Sequence, residues 1–452
     1  MSERRADARR LRWWAVPALT VVLIGAVLAG ACPRPASAYD YPVDDGLLAT
    51  VVGTAPADRA ELPEHVPFEV RRLDRVPGPP VPPSFWNQDR VRYGLVAQDG
   101  AAPLIFIVAG TGARFSSEKM RFLAAAFYGA GYHVVALSSP THSDFILTAS
   151  STRMPGLAPE DVRDLYALMK RVHVELQPDL EISGFHLTGY SLGGTHSAFL
   201  AALDERERYF GFGRVLLINP AVDLYSSVEI LDEMFATALP DGPEGVDRIF
   251  QRLLDLVSRY VHARGRAPLD SEMLYHIAEV HPPRDAGLRA VIATVFRLAA
   301  ANMIFTADTM TGGGHVIEAG TEISVSTSLT PYFKRSVRWP FVRYFDEMLL
   351  PYWQARRQGI DRDALIEQAS LRSIGPYLEG ASHVGVVTNA DDFILAGGEL
   401  DFLRSTFGDR AHVYPTGGHC GNIQYRDNVA DMLAFFAATP TTASLRPVES
   451  AR

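Results

Sequence analysis

The most informative stretch of the sequence is Gly189-Tyr190-Ser191-Leu192-Gly193. A strand-like run at residues 182–188 precedes it, and a helical pattern at residues 194–203 follows it. Glycines two positions before and after the serine allow a strand and a helix to pack closely at a tight turn, so that the Ser191 hydroxyl projects from the end of a sheet. Five residues are an unspecific signal, and the assignment therefore depends on partners elsewhere in the chain.

Length and composition indicate a folded globular protein. The chain has 452 residues, enough for one large domain with an insertion or for two domains. Hydrophobic residues make up 47% and charged residues 21%, which excludes a disordered chain. The formal net charge of −9, without a basic stripe, argues against nucleic acid as a partner. Of the two cysteines, Cys32 lies near the N-terminus and Cys420 far from it, so a domain that begins after residue 38 has no internal disulfide.

Residues 1–38 have the layout of an export signal. Arginines precede an apolar run at residues 13–31, and Ala36-Ser37-Ala38 forms a small-residue cleavage site. Cleavage there predicts a periplasmic or secreted protein. Two alternatives stay open: lipid attachment at Cys32, whose preceding residues resemble a lipobox with a displaced leucine, and an uncleaved membrane anchor. The N-terminal segment is thus the one feature that suggests association with a membrane.

The rest of the chain predicts an α/β fold. Residues 39–90 are expected to be a lead-in, exposed up to about residue 64 and then containing a rigid connector, because residues 77–83 include five prolines. Strand and helix patterns alternate through residues 91–223 and again through residues 376–438. The strands are continuous apolar runs, which indicates a doubly wound, mostly parallel sheet covered by helices on both faces.

Residues 224–375 interrupt this alternation. Apolar stripes at residues 246–257 and 288–296 predict helices that pack on each other and on the sheet. Gly312-Gly313-Gly314-His315 lacks the lysine and the preceding strand of a phosphate loop and is interpreted as a loop tip. We therefore expect a helical insertion between the sixth and seventh strands, and a polar, disordered tail at residues 439–452.

A nucleophilic serine needs a hydrogen-bonded base, and the base needs an acid that orients it. The late strand at residues 384–388 ends in Asn389-Ala390-Asp391-Asp392, and the strand after it ends in Gly417-Gly418-His419. His419 is the one histidine between the last strand and the last helix, and the glycines suit a loop that brings an imidazole over the serine. We predict His419 as the base.

The acid has three candidates. Asp391 and Asp392 are adjacent, so their side chains diverge and only one of them can face His419. We favour Asp392, which lies one residue further out of the strand, and interpret Asp391 as a solvated or capping aspartate. Asp223, just after the strand that follows the serine turn, is the third candidate.

Two backbone N–H groups must bind the negative oxygen of the tetrahedral intermediate. Leu192, the residue after the serine, is expected to supply one of them. The strand at residues 104–108 ends in Ala109-Gly110-Thr111-Gly112, and this small-residue turn allows backbone amides to point at the site. Thr111 is the expected second donor, with Gly112 as the alternative.

Together, the turn at residues 109–112, the Ser191 turn, the Asp391-Asp392 pair and the Gly417-Gly418-His419 loop resemble the α/β-hydrolase superfamily. The aspartate pair and the glycine–histidine loop are similar to its lipid-related esterases. The resemblance covers roughly residues 91–223 and 376–437, and it places the insertion where the family carries a cap. It implies hydrolysis of carboxylic esters through an acyl-enzyme, without metal or cofactor.

The leading hypothesis is an exported serine esterase or lipase-like hydrolase that acts on a small-molecule ester or a lipid. Apolar residues in the insertion suit an acyl chain. The same side chains serve acyl transfer or the cleavage of amides and peptides, and a catalytically silent binding protein is the hypothesis from another class. His196 and Cys420, which lie beside the motifs, are interpreted as packing residues. The sequence gives no indication of an oligomeric state.

Overall fold

An eight-stranded sheet lies at the centre of the protein. Its strands are β1 (Glu69–Asp74), β2 (Arg90–Val96), β3 (Ala102–Val108), β4 (His133–Leu137), β5 (Ile182–Tyr190), β6 (Arg214–Ile218), β7 (Val384–Asn389) and β8 (Ala411–Tyr414). The spatial order is β1-β2-β4-β3-β5-β6-β7-β8. Only β2 runs against its neighbours; from β4 to β8 every adjacent pair is parallel. This confirms the prediction of a mostly parallel α/β sheet.

The computed structural model describes residues 39–85, 88–239, 241–242, 244–248 and 284–438. The export signal at residues 1–38 and the tail at residues 439–452 lie outside the described residues, as does most of the apolar stripe at residues 246–257. The predictions made for these segments therefore stay predictions.

Helices cover both faces of the sheet, and further helices lie in the described parts of the chain between β6 and β7. Those of the α/β part are α1 (Gly46–Val52), α2 (Glu118–Gly129), α3 (Ser143–Thr148), α4 (Ala158–Leu176), α5 (Leu192–Glu207) and, nearer the C-terminus, α12 (Gly375–Gly380), α13 (Glu399–Phe407) and α14 (Arg426–Ala437). Between β6 and β7 lie α6 (Leu224–Ala238), α7 (Asp285–Thr311), α8 (Thr330–Val337), α9 (Phe341–Tyr344), a π-helical turn at Phe345–Leu349, α10 (Leu350–Gln354) and α11 (Arg362–Gln368). Short 3₁₀ turns occur at Pro56–Asp58, Pro83–Phe85, Leu371–Ile374 and Gly408–Arg410.

A second apolar cluster joins the insertion to the α/β part. Side chains of α6 and α7 pack there with those of α9 and the π-helical turn, and Ile146 and Leu147 of α3 belong to the same cluster. Helix α7 has the length and mean hydropathy of a membrane span, but 67% of its most apolar window is buried inside the protein. Its hydrophobicity is therefore used in packing within the described part of the chain.

The glycine-rich segment after α7 holds no open anion site. Gly312 adopts a left-handed conformation that ends the helix. The Asp308 carboxylate then accepts hydrogen bonds from the backbone N–H groups of His315, Val316 and Ile317, at 3.1, 2.7 and 2.9 Å. Because a carboxylate already occupies these donors, a phosphate has no access to them.

The prediction of an exposed lead-in up to about residue 64 is wrong. Helix α1 forms there, capped by Asp45, whose carboxylate accepts a hydrogen bond from the backbone N–H of Leu48, and its Ala49 and Val52 are buried. A backbone bridge from Arg59 to Tyr425 ties the segment to the C-terminal part of the chain. A helix of seven residues is too short to display a hydrophobic period, and tertiary packing rather than intrinsic propensity stabilises it.

Candidate active site

Ser191 lies on a strained turn between β5 and α5. Its backbone has φ 55° and ψ −129°, a conformation that side-chain-bearing residues rarely adopt. A Cβ atom on Gly189 would lie 2.3 Å from the carbonyl oxygen of Gly193, and one on Gly193 would lie 2.1 Å from that of Val108. Both flanking glycines are therefore required by the close approach of strand and helix, as the sequence motif indicates.

His419 bridges Ser191 and Asp392. Its Nε2 lies 2.8 Å from the Ser191 Oγ, and its Nδ1 lies 3.1 and 3.0 Å from the Asp392 Oδ1 and Oδ2. All three side chains are buried. A proton on Nδ1 is directed at the carboxylate, which leaves Nε2 free to accept the hydrogen bond of the serine hydroxyl. The arrangement can therefore remove the proton of the Ser191 hydroxyl during attack on a substrate.

Asp392 receives two further hydrogen bonds besides that of His419. The Asn219 side-chain amide donates to its Oδ2 at 2.9 Å, and the backbone N–H of Ile394 donates to its Oδ1 at 3.2 Å. Asn219 ends β6 in a left-handed conformation, with φ 44°. These donors fix the orientation of the carboxylate. Asn219 could not be identified from the sequence, because its only signal is its place directly after a strand.

Asp391 faces the backbone of the histidine loop rather than the imidazole. Its carboxylate accepts hydrogen bonds from the backbone N–H groups of Gly418 at 2.8 Å and Gly417 at 3.2 Å. Partial burial raises the pKa of the Asp391 carboxyl, and the two amides oppose that shift. Asp391 thus holds the shape of the loop that carries His419.

Asp223, the third candidate, caps helix α6. Its Oδ1 accepts hydrogen bonds from the backbone N–H groups of Tyr225 at 2.9 Å and Ser226 at 3.2 Å. This is the ordinary geometry of an aspartate at a helix N-terminus. Of the three candidates, only Asp392 is hydrogen-bonded to His419 within the described part of the chain.

Two backbone amides next to Ser191 are left without a partner. Among the described residues, the N–H groups of Thr111 and Leu192 donate to no protein acceptor. Both residues line a cavity that also contains Ser191 and His419. The N–H of Gly112, the alternative donor, is already engaged by the Thr141 hydroxyl at 2.8 Å. Thr111 and Leu192 are therefore the amides that can bind a negative oxygen here.

Helix α1 supports the histidine from behind. The Thr50 Oγ1 accepts a hydrogen bond from the backbone N–H of His419 at 2.8 Å and donates one to the Gly46 carbonyl at 2.7 Å. A Cβ atom on Gly418 would lie 1.9 Å from that same carbonyl oxygen, so the helix and the loop are in direct contact. The hydrogen bond joins residues 369 positions apart, and nothing in the local sequence signals it.

Cys420 and His196 pack beside the site without joining it. Burial raises the pKa of the Cys420 thiol to about 12, which keeps the sulfur protonated and unreactive. His196 is fully buried, and neither ring nitrogen has a hydrogen-bond partner among the residues that the structure describes. Its Nε2 lies 3.7 Å from the Asp161 carboxylate, which is too far for a hydrogen bond.

The first cavity at Ser191 has a volume of about 110 Å³. Apolar side chains from α6, α7 and the helices that follow them form most of its wall: Leu224, Val228, Leu231, Phe296, Met303, Phe341, Leu349 and Ile366. The Ser227 hydroxyl in the wall donates to the Ile394 carbonyl at 2.9 Å, and the Tyr344 hydroxyl donates to the Pro155 carbonyl at 2.6 Å. These hydroxyls are occupied, and none of the described residues that line the cavity is a carboxylate, a lysine or an arginine, so the cavity is suited to hydrocarbon.

No protein-family model and no curated protein matches the sequence. The structure is similar to that of an esterase from Pyrococcus furiosus, with 10% identity, 86% of this chain and 98% of that chain covered, and a TM-score of 0.41. It is also similar to a hydrolase from Pseudomonas aeruginosa, with 14% identity, 82% and 99% coverage, and a TM-score of 0.39. Likenesses this remote do not transfer a function.

The topology itself identifies the fold. The second strand is antiparallel to a sheet that is otherwise parallel from β4 onward, and β3 and β4 exchange places in the spatial order. The strained serine turn follows β5, the aspartate pair follows β7, and the histidine loop follows β8. With this strand order, the chain has the fold of the α/β-hydrolase superfamily.

Proposed function

We propose that the protein is a serine hydrolase that cleaves carboxylic esters through an acyl-enzyme, with Ser191 as nucleophile, His419 as base and Asp392 as the orienting acid. The observation that carries the proposal is the continuous set of hydrogen bonds among them, 2.8 Å from Ser191 to His419 and 3.0 Å from His419 to Asp392. The free amides of Thr111 and Leu192 beside the serine support it.

The reaction has two halves. The Ser191 Oγ attacks the ester carbonyl carbon while His419 Nε2 takes the hydroxyl proton, and the carbonyl oxygen, now negative, is bound by the amides of Thr111 and Leu192. Asp392 stabilises the imidazolium that forms. His419 then gives its proton to the leaving oxygen, the ester C–O bond breaks, and an acyl-enzyme remains. Water, activated by His419, releases the acid by the same steps and restores Ser191.

The acyl part of the substrate is proposed to be a hydrocarbon chain, since the wall of the first cavity is apolar. For p-nitrophenyl esters we expect kcat/KM to rise from the acetate to the octanoate. A fully buried methylene contributes about 0.8 kcal/mol, so the increase approaches about fourfold per methylene at most. A preference for the acetate would count against an acyl-binding cavity.

A matched pair of variants tests the same cavity. Met303→Trp places bulk in the wall and is expected to move the preferred ester to a shorter acyl chain. Val325→Trp adds the same side chain in the same insertion at a residue that is 66% exposed and lies outside the cavity wall, and it should leave the preference unchanged. If both variants changed the preferred chain length equally, the preference would not be determined by this cavity.

Thr50→Val is expected to lower kcat about 10-fold while KM changes little. The valine keeps the shape of the side chain but removes the acceptor of the His419 N–H, and losing a buried hydrogen bond of this kind costs about 1–1.5 kcal/mol. Thr50→Ser retains the hydroxyl and should recover most of the rate. The check is kcat for the octanoate ester, with the melting temperature measured alongside. If the Thr50→Val variant kept the full rate, the hydrogen bond from His419 to helix α1 would not be needed to position the histidine.

A further inference from the structure

A second cavity, of about 310 Å³, also contains Ser191. Ser191, His419, Thr111 and Phe296 line both cavities, and the remaining walls differ. The second cavity is bounded by α1, by the turn after β3, by the first turns of α7 and by Cys420. The reacting serine therefore lies where two separate spaces meet, which suits a substrate with two different halves.

The second cavity contains a cation that the first lacks. Lys119, in the first turn of α2, lines it, and its Nζ lies 5.9 Å from the centre of the Tyr190 ring, next to the nucleophile in sequence. Among the described residues, no aspartate or glutamate lines this cavity and Lys119 forms no ion pair. An ammonium group without a counterion beside the reaction centre attracts an anionic part of a ligand.

The two cavities fit the two sides of an ester. The first, with its hydrocarbon wall, takes the acyl chain. The leaving oxygen must receive the proton from His419 Nε2, so the leaving group has to lie on the histidine side of the centre. His419 lines both cavities, but Thr50, which accepts the hydrogen bond of its backbone N–H, and Cys420, the next residue in sequence, line only the second one. Lys119 lies on this side of the centre.

We propose that the second cavity binds the leaving alcohol of the ester and that this alcohol carries a carboxylate or phosphate group, which Lys119 binds. The inference rests on the proposed function, since it assigns the other half of the same substrate. Val291, Val295 and Ala299 of α7 form an apolar wall in this cavity. The alcohol thus combines a short apolar part with an anionic group. Hydrolysis consumes one water and gives a fatty acid and an anionic alcohol.

The test compares matched neutral and anionic esters of octanoic acid. One pair is the 4-nitrophenyl and the 3-carboxy-4-nitrophenyl ester; the other is octanoyl glycerol and octanoyl glycerol phosphate. Lys119→Met keeps the length of the side chain and removes its charge. It is expected to lower kcat/KM about 10-fold for the anionic member of at least one pair, because a hydrogen bond to a charged group is lost, while the neutral members stay within about twofold. The pair that responds identifies the anion, and Lys119→Arg should preserve the rate.

Lys170→Met is the matched control among the three lysines of the sequence. Lys170 also lies over a tyrosine ring, 4.9 Å from the centre of Tyr166, but it is outside both cavities. It should change none of the four rates. Equal losses on neutral and anionic esters in Lys119→Met, or no loss on any of them, would overturn the proposal.

A binding measurement separates this inference from the proposed function. Calorimetry with 3-carboxy-4-nitrophenol and with glycerol phosphate requires no turnover, and binding that is present in the wild type and weakened in Lys119→Met supports the anion site. If such binding persists while no ester is cleaved, the hydrolase proposal fails and the anion site stands. If esters are cleaved and the binding of both anions is independent of Lys119, the anion site fails alone.

Discussion

Ser191→Ala is expected to lower kcat for ester hydrolysis by about a million-fold, because no other group can form the acyl-enzyme. The one thiol nearby cannot replace the serine, since burial raises the pKa of Cys420 to about 12. The methyl group of alanine keeps the backbone conformation and removes only the Oγ that accepts the acyl group. KM should change little, because the cavities that hold the substrate are unaltered.

Labelling with a fluorophosphonate probe checks the same residue directly. The wild type should be labelled stoichiometrically at Ser191, and the alanine variant should not. Ser197→Ala is the matched control: this serine is also buried, lies on α5, the helix that follows Ser191, and donates a hydrogen bond to the Gly193 carbonyl at 2.8 Å. It should label like the wild type. A folded wild type that resists the probe would sink the hydrolase proposal.

The sheet was predictable because its central strands leave a strong mark on the sequence. Strands β3 and β4 are buried on both faces, so their residues are apolar without alternation, and such runs separated by helical patterns indicate a parallel sheet. The serine turn was also predictable, since Gly189 and Gly193 are required by contacts that exclude a Cβ atom. A position at which a Cβ atom would clash requires glycine, so the residue type alone reveals the constraint.

The supports of the site could not be predicted in the same way. Thr50 and Asn219 act through single hydrogen bonds to residues 369 and 173 positions away, and a threonine or an asparagine in a sequence is compatible with countless other surroundings. The short helix α1 carries too few buried residues to show a period. The cavities are lined by side chains from the α/β part and from the insertion together. Neither their shape nor the position of Lys119 in one of them can therefore be predicted from the sequence.

The roles of Asp391 and Asp392 were only partly predictable from the sequence. Divergence of neighbouring side chains predicts that only one of Asp391 and Asp392 faces the imidazole, but it does not say what the other one does. In the structure the second carboxylate holds the amides of Gly417 and Gly418, which are part of the loop that carries His419. Both aspartates thus help to place the same histidine, Asp392 through its ring and Asp391 through the loop that carries it.

Asp392→Asn is expected to lower kcat by about 10⁴-fold. An asparagine amide facing Nδ1 would donate a hydrogen bond to it and shift the proton to Nε2, where it blocks transfer from the serine. The Asn219 side-chain amide already donates a hydrogen bond to the side chain at position 392. An asparagine amide placed there would therefore find no acceptor on that side and would stay directed at the imidazole. The measurement is kcat for the octanoate ester across pH, with the melting temperature as the test of folding.

Asp391→Asn, by contrast, should cost at most about 10-fold, because the asparagine oxygen can still accept one of the two loop amides. Asp223→Asn removes the charge of a helix cap and should leave kcat unchanged, since asparagine caps helices about as well as aspartate does. The three substitutions make the same chemical change at three distances from His419, so a common loss of stability cannot imitate the expected ranking. Mild effects at both Asp391 and Asp392, with a large one at Asp223, would assign the orienting carboxylate to Asp223 and require a structure in which helix α6 turns its first residue towards the imidazole.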